Sequence, residues 1–168
     1  MTSAHLVTTE AAIPAQRETL VRLVQLYLHD LSAVESWDVD ESGSFGEDDL
    51  DGCWTEDRRH PFVIRANGKV AGFAVVDEGS DVTGDRSVYD MAEFFVLRRW
   101  RRTGVGRAAV RDLLERFPGT WEIRPFPGYP AGEKFWRQIC AESAVGGVSE
   151  STYDRSGRPA TLYRLSTR

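Results

Sequence analysis

The stretch Phe94–Val110, FFVLRRWRRTGVGRAAV, places five arginines and two glycines behind a short apolar run. Its reading decides the fold, because three chemistries fit it. As a basic patch with Trp100 as a stacking platform, it suits nucleic acid. Read from Gly104 to Ala109, GVGRAA matches the G-x-G-x-x-A of dinucleotide folds, with Glu122 about 20 residues on. Read as a strand that ends and a helix that begins, it is a diphosphate cradle. Amides at a helix start lack internal partners, and the helix dipole adds partial positive charge there. Gly104 and Gly106 carry no Cβ, so a diphosphate can approach the backbone, and the flanking arginines add forked donors.

The surrounding sequence favours the third reading. A dinucleotide fold starts its glycine turn almost at once after the strand, within a βαβ series. Here Arg98–Thr103 intervene, a hairpin precedes the strand, and one further βα unit follows. The basic cluster is confined to one loop, and a net charge of -5 repels a polyanion. No Lys-Ser/Thr follows the glycines, which excludes an ATPase phosphate loop.

Working outward, PAQRETLVRLVQLYLHDL sets Leu20, Leu23, Val24, Tyr27 and Leu31 at helical spacing, with Pro14 suited to a first turn. A short strand is expected before it, near His5–Thr9, and one short helix after it, near Glu47–Trp54. PFVIRANGKVAGFAVV reads as a hairpin turning at Asn67-Gly68. A strand over about Val88–Leu97 leads to the helix GRAAVRDLLERF, stopped by Pro118-Gly119. The strand TWEIRPF, the helix AGEKFWRQICAE and a hairpin turning near Ser156-Gly157 close the chain. The order β-α-α-β-β-β-α-β-α-β-β predicts an α/β (α+β) fold with a mixed sheet and helices on its faces.

At 168 residues the chain holds one domain, residues 1–168, with a real core. Cys53 and Cys140 are too few and too isolated for a disulfide framework or a zinc site, and no metal is expected. No run approaches the roughly 18 apolar residues of a membrane span. The opening MTSAHLVTTEAAIP shows no export signal, so the expected location is the cytoplasm.

VLRRWRRTGVGRAAV resembles the acetyl-CoA motif of GNAT-superfamily N-acetyltransferases, a strand ending in Val followed by Arg/Gln-x-x-Gly-x-Gly/Ala at a helix start. Arg101-Arg102-Thr103-Gly104-Val105-Gly106 fills that pattern, and the element order resembles the family along nearly the whole chain. The resemblance implies a mostly antiparallel sheet with a central splay, about four flanking helices, and acetyl-CoA as co-substrate. The pantetheine arm would pair with main-chain groups of Phe94, Phe95, Val96 and Leu97. Arg101, Arg102, Thr103, Gly104, Val105, Gly106 and Arg107 would hold the diphosphate, with Arg98 or Arg99 near the ribose phosphate.

The resemblance also implies direct attack of an amine on the thioester, with a base to take its proton. Asp90, Glu93 and Glu122 are the candidate bases. Strict alternation sets Asp90, Ala92, Phe94 and Val96 on one face and Met91, Glu93, Phe95 and Leu97 on the other. Glu93, among apolar neighbours, is the favoured base. Many relatives carry Asn-x-x-Ala-x-x-Phe-Tyr on the last helix, whose Tyr protonates the departing thiolate. Here Tyr129, Gly132, Phe135 and Trp136 occupy those positions. Indole is no useful acid, so Trp136 is expected to pack against the arm or in the core, and Tyr129 is the candidate acid.

Between Arg22 and Arg58 the chain has no Lys or Arg but eleven acids: Asp30, Glu35, Asp38, Asp40, Glu41, Glu47, Asp48, Asp49, Asp51, Glu56 and Asp57. In the GNAT fold this region lines the acceptor side, which suggests a small cationic amine such as an aminosugar or polyamine. Asp38, with the aromatic rings of Trp37, Phe45 or Trp54, would then bind it. Alternatives are a protein or peptide N-acetyltransferase and a non-catalytic acyl-CoA-binding module. Nucleic-acid and membrane partners are not expected, and the protein is read as a monomer or homodimer.

Overall fold

The computed structural model describes residues 5–46 and 50–168. Strand β1 (Val7–Ala11) lies two residues beyond its expected place, and Pro14–Gln16 form a 3-10 turn that leads into α1 (Arg17–Glu35). Leu20, Leu23, Val24 and Leu31 are its buried stripe, as the spacing predicts. Of the helix expected near Glu47–Trp54, residues 47–49 lie outside the described residues; the described part is α2 (Gly52–Thr55). Strands β2 (Arg59–Ala66) and β3 (Lys69–Glu78) are joined through Asn67 and Gly68, both at positive φ (52° and 76°), the backbone of a type I′ turn. Then follow β4 (Tyr89–Val96), α3 (Val105–Arg116), β5 (Thr120–Ile123) and α4 (Pro130–Ser143). The chain closes with the hairpin of β6 (Val148–Arg155) and β7 (Arg158–Ser166).

One sheet orders the strands β1-β2-β3-β4-β5-β7-β6. Every neighbouring pair is antiparallel except β4–β5. That parallel pair holds together only at Tyr89↔Trp121 and Asp90↔Glu122. β5 ends at Ile123, before the expected Phe126, and from Met91 onward β4 has a free edge. The sheet therefore splays at its centre. Helices α3 and α4 cover one face with Val105, Ala109, Leu113, Trp136 and Ile139, while α1 and α2 cover the other with Leu20, Leu23, Val24 and Cys53.

Strict alternation along β4 fails, and the reason is a β-bulge. Val75 pairs with Glu93 but Val76 pairs with Met91, so Ala92 is an extra residue. The bulge resets the facing of every residue beyond it. Met91, Phe94 and Val96 belong to the α3/α4 side, while Ala92, Phe95 and Leu97 pack on the α1/α2 side. Glu93 follows Val75 and Asp90 follows Asp77 onto the α1/α2 face. The two carboxylates that alternation would separate thus share one face.

The β3–β4 contact at the rim of the splay depends on Gly72. A Cβ there would stand 2.0 Å from the Phe95 carbonyl oxygen. Gly72→Ala is expected to force β3 from β4 and cost about 2 kcal/mol or more, as overpacking at backbone does. Urea unfolding checks this through the midpoint at constant slope.

Candidate active site

The loop between β4 and α3 is built by its own side chains. Trp100 is buried, and the Thr103 hydroxyl donates to the Trp100 carbonyl at 2.7 Å. Gly104 then takes φ 89°, a left-handed conformation that glycine adopts without steric cost, and caps α3. Ala108 N–H is the first to reach back, to the Gly104 carbonyl at 3.0 Å, so the amides of Val105, Gly106 and Arg107 have no partner one turn earlier. Gly104 and Gly106 line a cleft of about 1050 Å³, and a Cβ on Gly104 would meet nothing within 4 Å. Bare main chain at a helix start therefore faces open space, an arrangement suited to paired phosphates.

The arginines divide their work in a way that the sequence did not reveal. Arg101 points inward: its Nε donates to the Val96 carbonyl at 2.7 Å, Nη1 to the Tyr129 hydroxyl at 3.1 Å, and Nη2 to Asp30. Its amide reaches the Arg98 carbonyl at 3.2 Å. Arg98 also binds Asp30, at 2.6 Å. Burial pushes the Asp30 carboxyl up, but the two guanidinium groups outweigh it and hold the carboxyl below its ordinary value. Three of its five guanidinium N–H donors thus tie α1, the loop and α4 together, while the side chain still lines the cleft. Arg107 pairs with Glu142 at 2.8 Å, and Arg99 lies over the Trp100 ring. Arg102 lines the cleft with no ion pair or side-chain hydrogen bond among the described residues. Lys134 and Gln138 of α4 line the same cleft; no motif in the sequence marked them.

The free edge of β4 is narrower than expected. The Leu97 amide donates to the Ala71 carbonyl at 2.8 Å, and the Phe95 carbonyl faces Gly72 of β3. The main-chain groups of Phe95 are thus turned to β3, and those of Leu97 are taken by Ala71 and, through the carbonyl, by the Trp100 amide at 2.8 Å. Alternation turns those of Phe94 and Val96 to the open side, where Arg101 already holds the Val96 carbonyl. Phe94 stacks on Phe135 (5.9 Å, 14°) and meets Trp136 edge-on at 5.2 Å, so Trp136 is a wall of the cleft and part of the core.

The three candidate bases have different fates. Glu122 is fully buried, accepts from the Thr83 hydroxyl at 3.0 Å and pairs with Arg164 at 3.2 Å. Asp90, 2 % exposed, pairs with Arg124 at 2.6 Å; burial pushes its carboxyl up to about 6 against the pull of that guanidinium. Neither lines the cleft or the smaller cavity between α1 and β4. Glu93 lines both. One is the cleft, and the other is a cavity of about 640 Å³ between α1, the loop after it and β4. Burial pushes the Glu93 carboxyl up to about 7, opposed by a hydrogen bond from the Tyr27 hydroxyl and by Arg124, Arg59 and Arg155. The Tyr27 hydroxyl is itself held well above its ordinary range, by burial first and then by Glu93. Sequence spacing marked Tyr27 only as part of the apolar stripe of α1.

Trp37, Asp38 and Phe45 line the smaller cavity beside Glu93. Trp54 lines neither cavity and packs against the α1/α2 core. Four of the eight described acids of this region are already answered: Asp30 by Arg98 and Arg101, Glu35 by Arg158, Asp51 by Arg17 and Glu56 by Arg58. Asp40 caps its own turn through Ser42 and Ser44. Glu47, Asp48 and Asp49 lie outside the described residues. Among the described residues no group of three or more His, Cys, Asp or Glu is arranged to hold a metal, and no helix is long and apolar enough to cross a membrane.

The family profile described as Acetyltransferase (GNAT) family matches residues 20–124. No curated protein matches the chain in sequence. Solved structures do. An acetyltransferase from Thermus thermophilus superposes with a TM-score of 0.72 at 12% identity, over 97% of this chain and 98% of that one. A putative acetyltransferase from Salmonella typhimurium, solved with its cofactor acetyl-CoA, gives 0.63 at 16% identity over 96% and 94%. The ribosomal-protein-S18-alanine N-acetyltransferase from Escherichia coli gives 0.59 at 15% identity over 96% and 94%. At such identities the likeness is one of fold.

Proposed function

The chain belongs to the GNAT acetyltransferase family and is an acetyl-CoA-dependent acyltransferase, and from that premise we propose that it acetylates a primary amine of a small molecule, with Glu93 as base. One observation carries this reading: of the three candidate carboxylates, Glu93 alone lies where the cleft meets the smaller cavity. The bare amides at the start of α3 and the side chain of Arg102 hold the diphosphate, and the open edge of Phe94 and Val96 receives the pantetheine arm. The amine enters through the cavity of Trp37, Asp38 and Phe45. Glu93 accepts a proton from the ammonium; the freed nitrogen attacks the thioester carbon, an N–C bond forms and the C–S bond breaks.

Tyr129 is the acid of this scheme. Its hydroxyl accepts from Arg101, which leaves its own proton free for the departing thiolate. The acids that suggested a polyamine or aminosugar support a single ammonium better, since Asp38 and Glu93 are the carboxylates that line the smaller cavity.

The test is release of free thiol from acetyl-CoA over a panel of primary amines, with the product identified by mass. Amine-dependent thiol release with a matching N-acetyl product is expected. Binding of acetyl-CoA without turnover on any amine would mark a non-catalytic module, the reading to which the indole of Trp136 in the usual place of the acid would point.

A further inference from the structure

The acceptor side holds more positive charge than the sequence suggests. Arg59 of β2 lines the smaller cavity, and Arg124 and Arg155 line the cleft beside Glu93. Arg124 is bound by Asp90 and Arg59 by Asp77, at 2.6 and 3.1 Å. Arg155, at the end of β6 and half-buried, makes no ion pair and no side-chain hydrogen bond among the described residues. It stands over the Phe126 ring at 4.6 Å, and Phe126 meets Trp37 edge-on at 6.1 Å. This stack joins the last hairpin to the loop after α1 across the mouth of the site. The aromatic ring fixes the guanidinium without using its forked donors.

A second group beside it is also unanswered. Tyr153 lies two residues earlier, on the same face of β6, with exposed Asp154 between them. Its hydroxyl oxygen is buried and has no hydrogen-bond partner among the described residues. Leaving such a group without a partner is costly, but Tyr153 lines neither the cleft nor the smaller cavity, so Arg155 alone of the two faces the site. Arg155, Arg124, Glu93 and Tyr27 all line the one cleft.

We infer that the acceptor is zwitterionic, an amine whose own molecule carries a carboxylate or a phosphorus oxyanion, and that Arg155 binds the anion while Glu93 and Asp38 face the ammonium. This deepens the acetyl-transfer reading and rests on it for the role of Glu93. A forked guanidinium matches two oxygens of one anionic group, and its placement on an aromatic ring aims it without the entropy of a free side chain. A polyamine would instead meet an unpaired positive charge at the far end of its site.

The experiment measures kcat/KM for matched pairs of amines, each L-amino acid against its carboxamide, with 2-aminoethylphosphonate, spermidine and glucosamine as further probes. The native protein is expected to prefer the carboxylate over the carboxamide of at least one pair by about 30-fold, the size of a charge-assisted hydrogen bond. Arg155→Ala is expected to bring that ratio to within about threefold, through KM for the carboxylate, while thermal unfolding reports an intact fold. A preference for spermidine, glucosamine or the carboxamides, or an unchanged ratio in Arg155→Ala, would overturn the inference. Calorimetry of the same pairs on CoA-loaded protein separates the two readings. Selective binding of carboxylates without turnover would sink the transfer reading and leave the anion site standing. Absence of any such selectivity in binding would sink the anion site whether or not acetyl transfer occurs.

Discussion

Gly104→Asp is expected to weaken acetyl-CoA binding by about 100-fold or more while leaving the fold intact. Two effects of very different size act at this position. Replacing glycine at φ 89° strains an L-residue by about 1 kcal/mol, and nothing lies within 4 Å to be displaced. The fold therefore tolerates the change. The new carboxylate, however, stands at the mouth of amides that have no internal partner, where a diphosphate would otherwise sit. Like charges brought together at an interface cost several kcal/mol, which far exceeds the strain. Calorimetry with acetyl-CoA reads the affinity and thermal unfolding reads the fold. An affinity within threefold of the native protein would remove the main chain at the start of α3 from the binding site.

Glu93→Gln is expected to lower turnover by about 100- to 10,000-fold with acetyl-CoA affinity preserved, the range found for a positioned base. The amide can still accept the Tyr27 hydrogen bond, so the wall of the cavity survives. The pH profile gives the more selective readout. Because burial pushes the Glu93 carboxyl up to about 7, the base is protonated and idle below that pH. For the native protein kcat/KM should rise as pH increases through about 7, and in Glu93→Gln that limb should vanish. Stability runs the other way. A carboxyl whose folded pKa is raised contributes most below its unfolded value and loses that contribution as pH rises through about 7. The variant is therefore expected to be no less stable than the native protein above neutrality. Asp90→Asn and Glu122→Gln remove partners of Arg124 and Arg164 instead, and should lower stability more than turnover. Equal turnover defects in all three variants would mean that none is the essential base.

What was legible in the sequence was local. The Asn67-Gly68 turn, the apolar stripe of α1, and a strand running into glycines at a helix start all follow from interactions within a few residues, and the element order carried the fold with them. What tertiary structure alone decided was facing and partnership. A single bulged residue, Ala92, moved Glu93 to the face of Asp90 and Tyr27, and no propensity along β4 announces such an insertion. The run of acids after α1 suggested a polycation, yet arginines up to 123 residues away answer several of them, including Glu35 through Arg158. Arg101 looked like a phosphate ligand, and only the fold shows that it also ties α1 to α4. Charge in a sequence shows what a side chain can pair with; only the folded chain, by bringing distant groups within reach, determines which charges are spent and which, like that of Arg155, are left for a ligand.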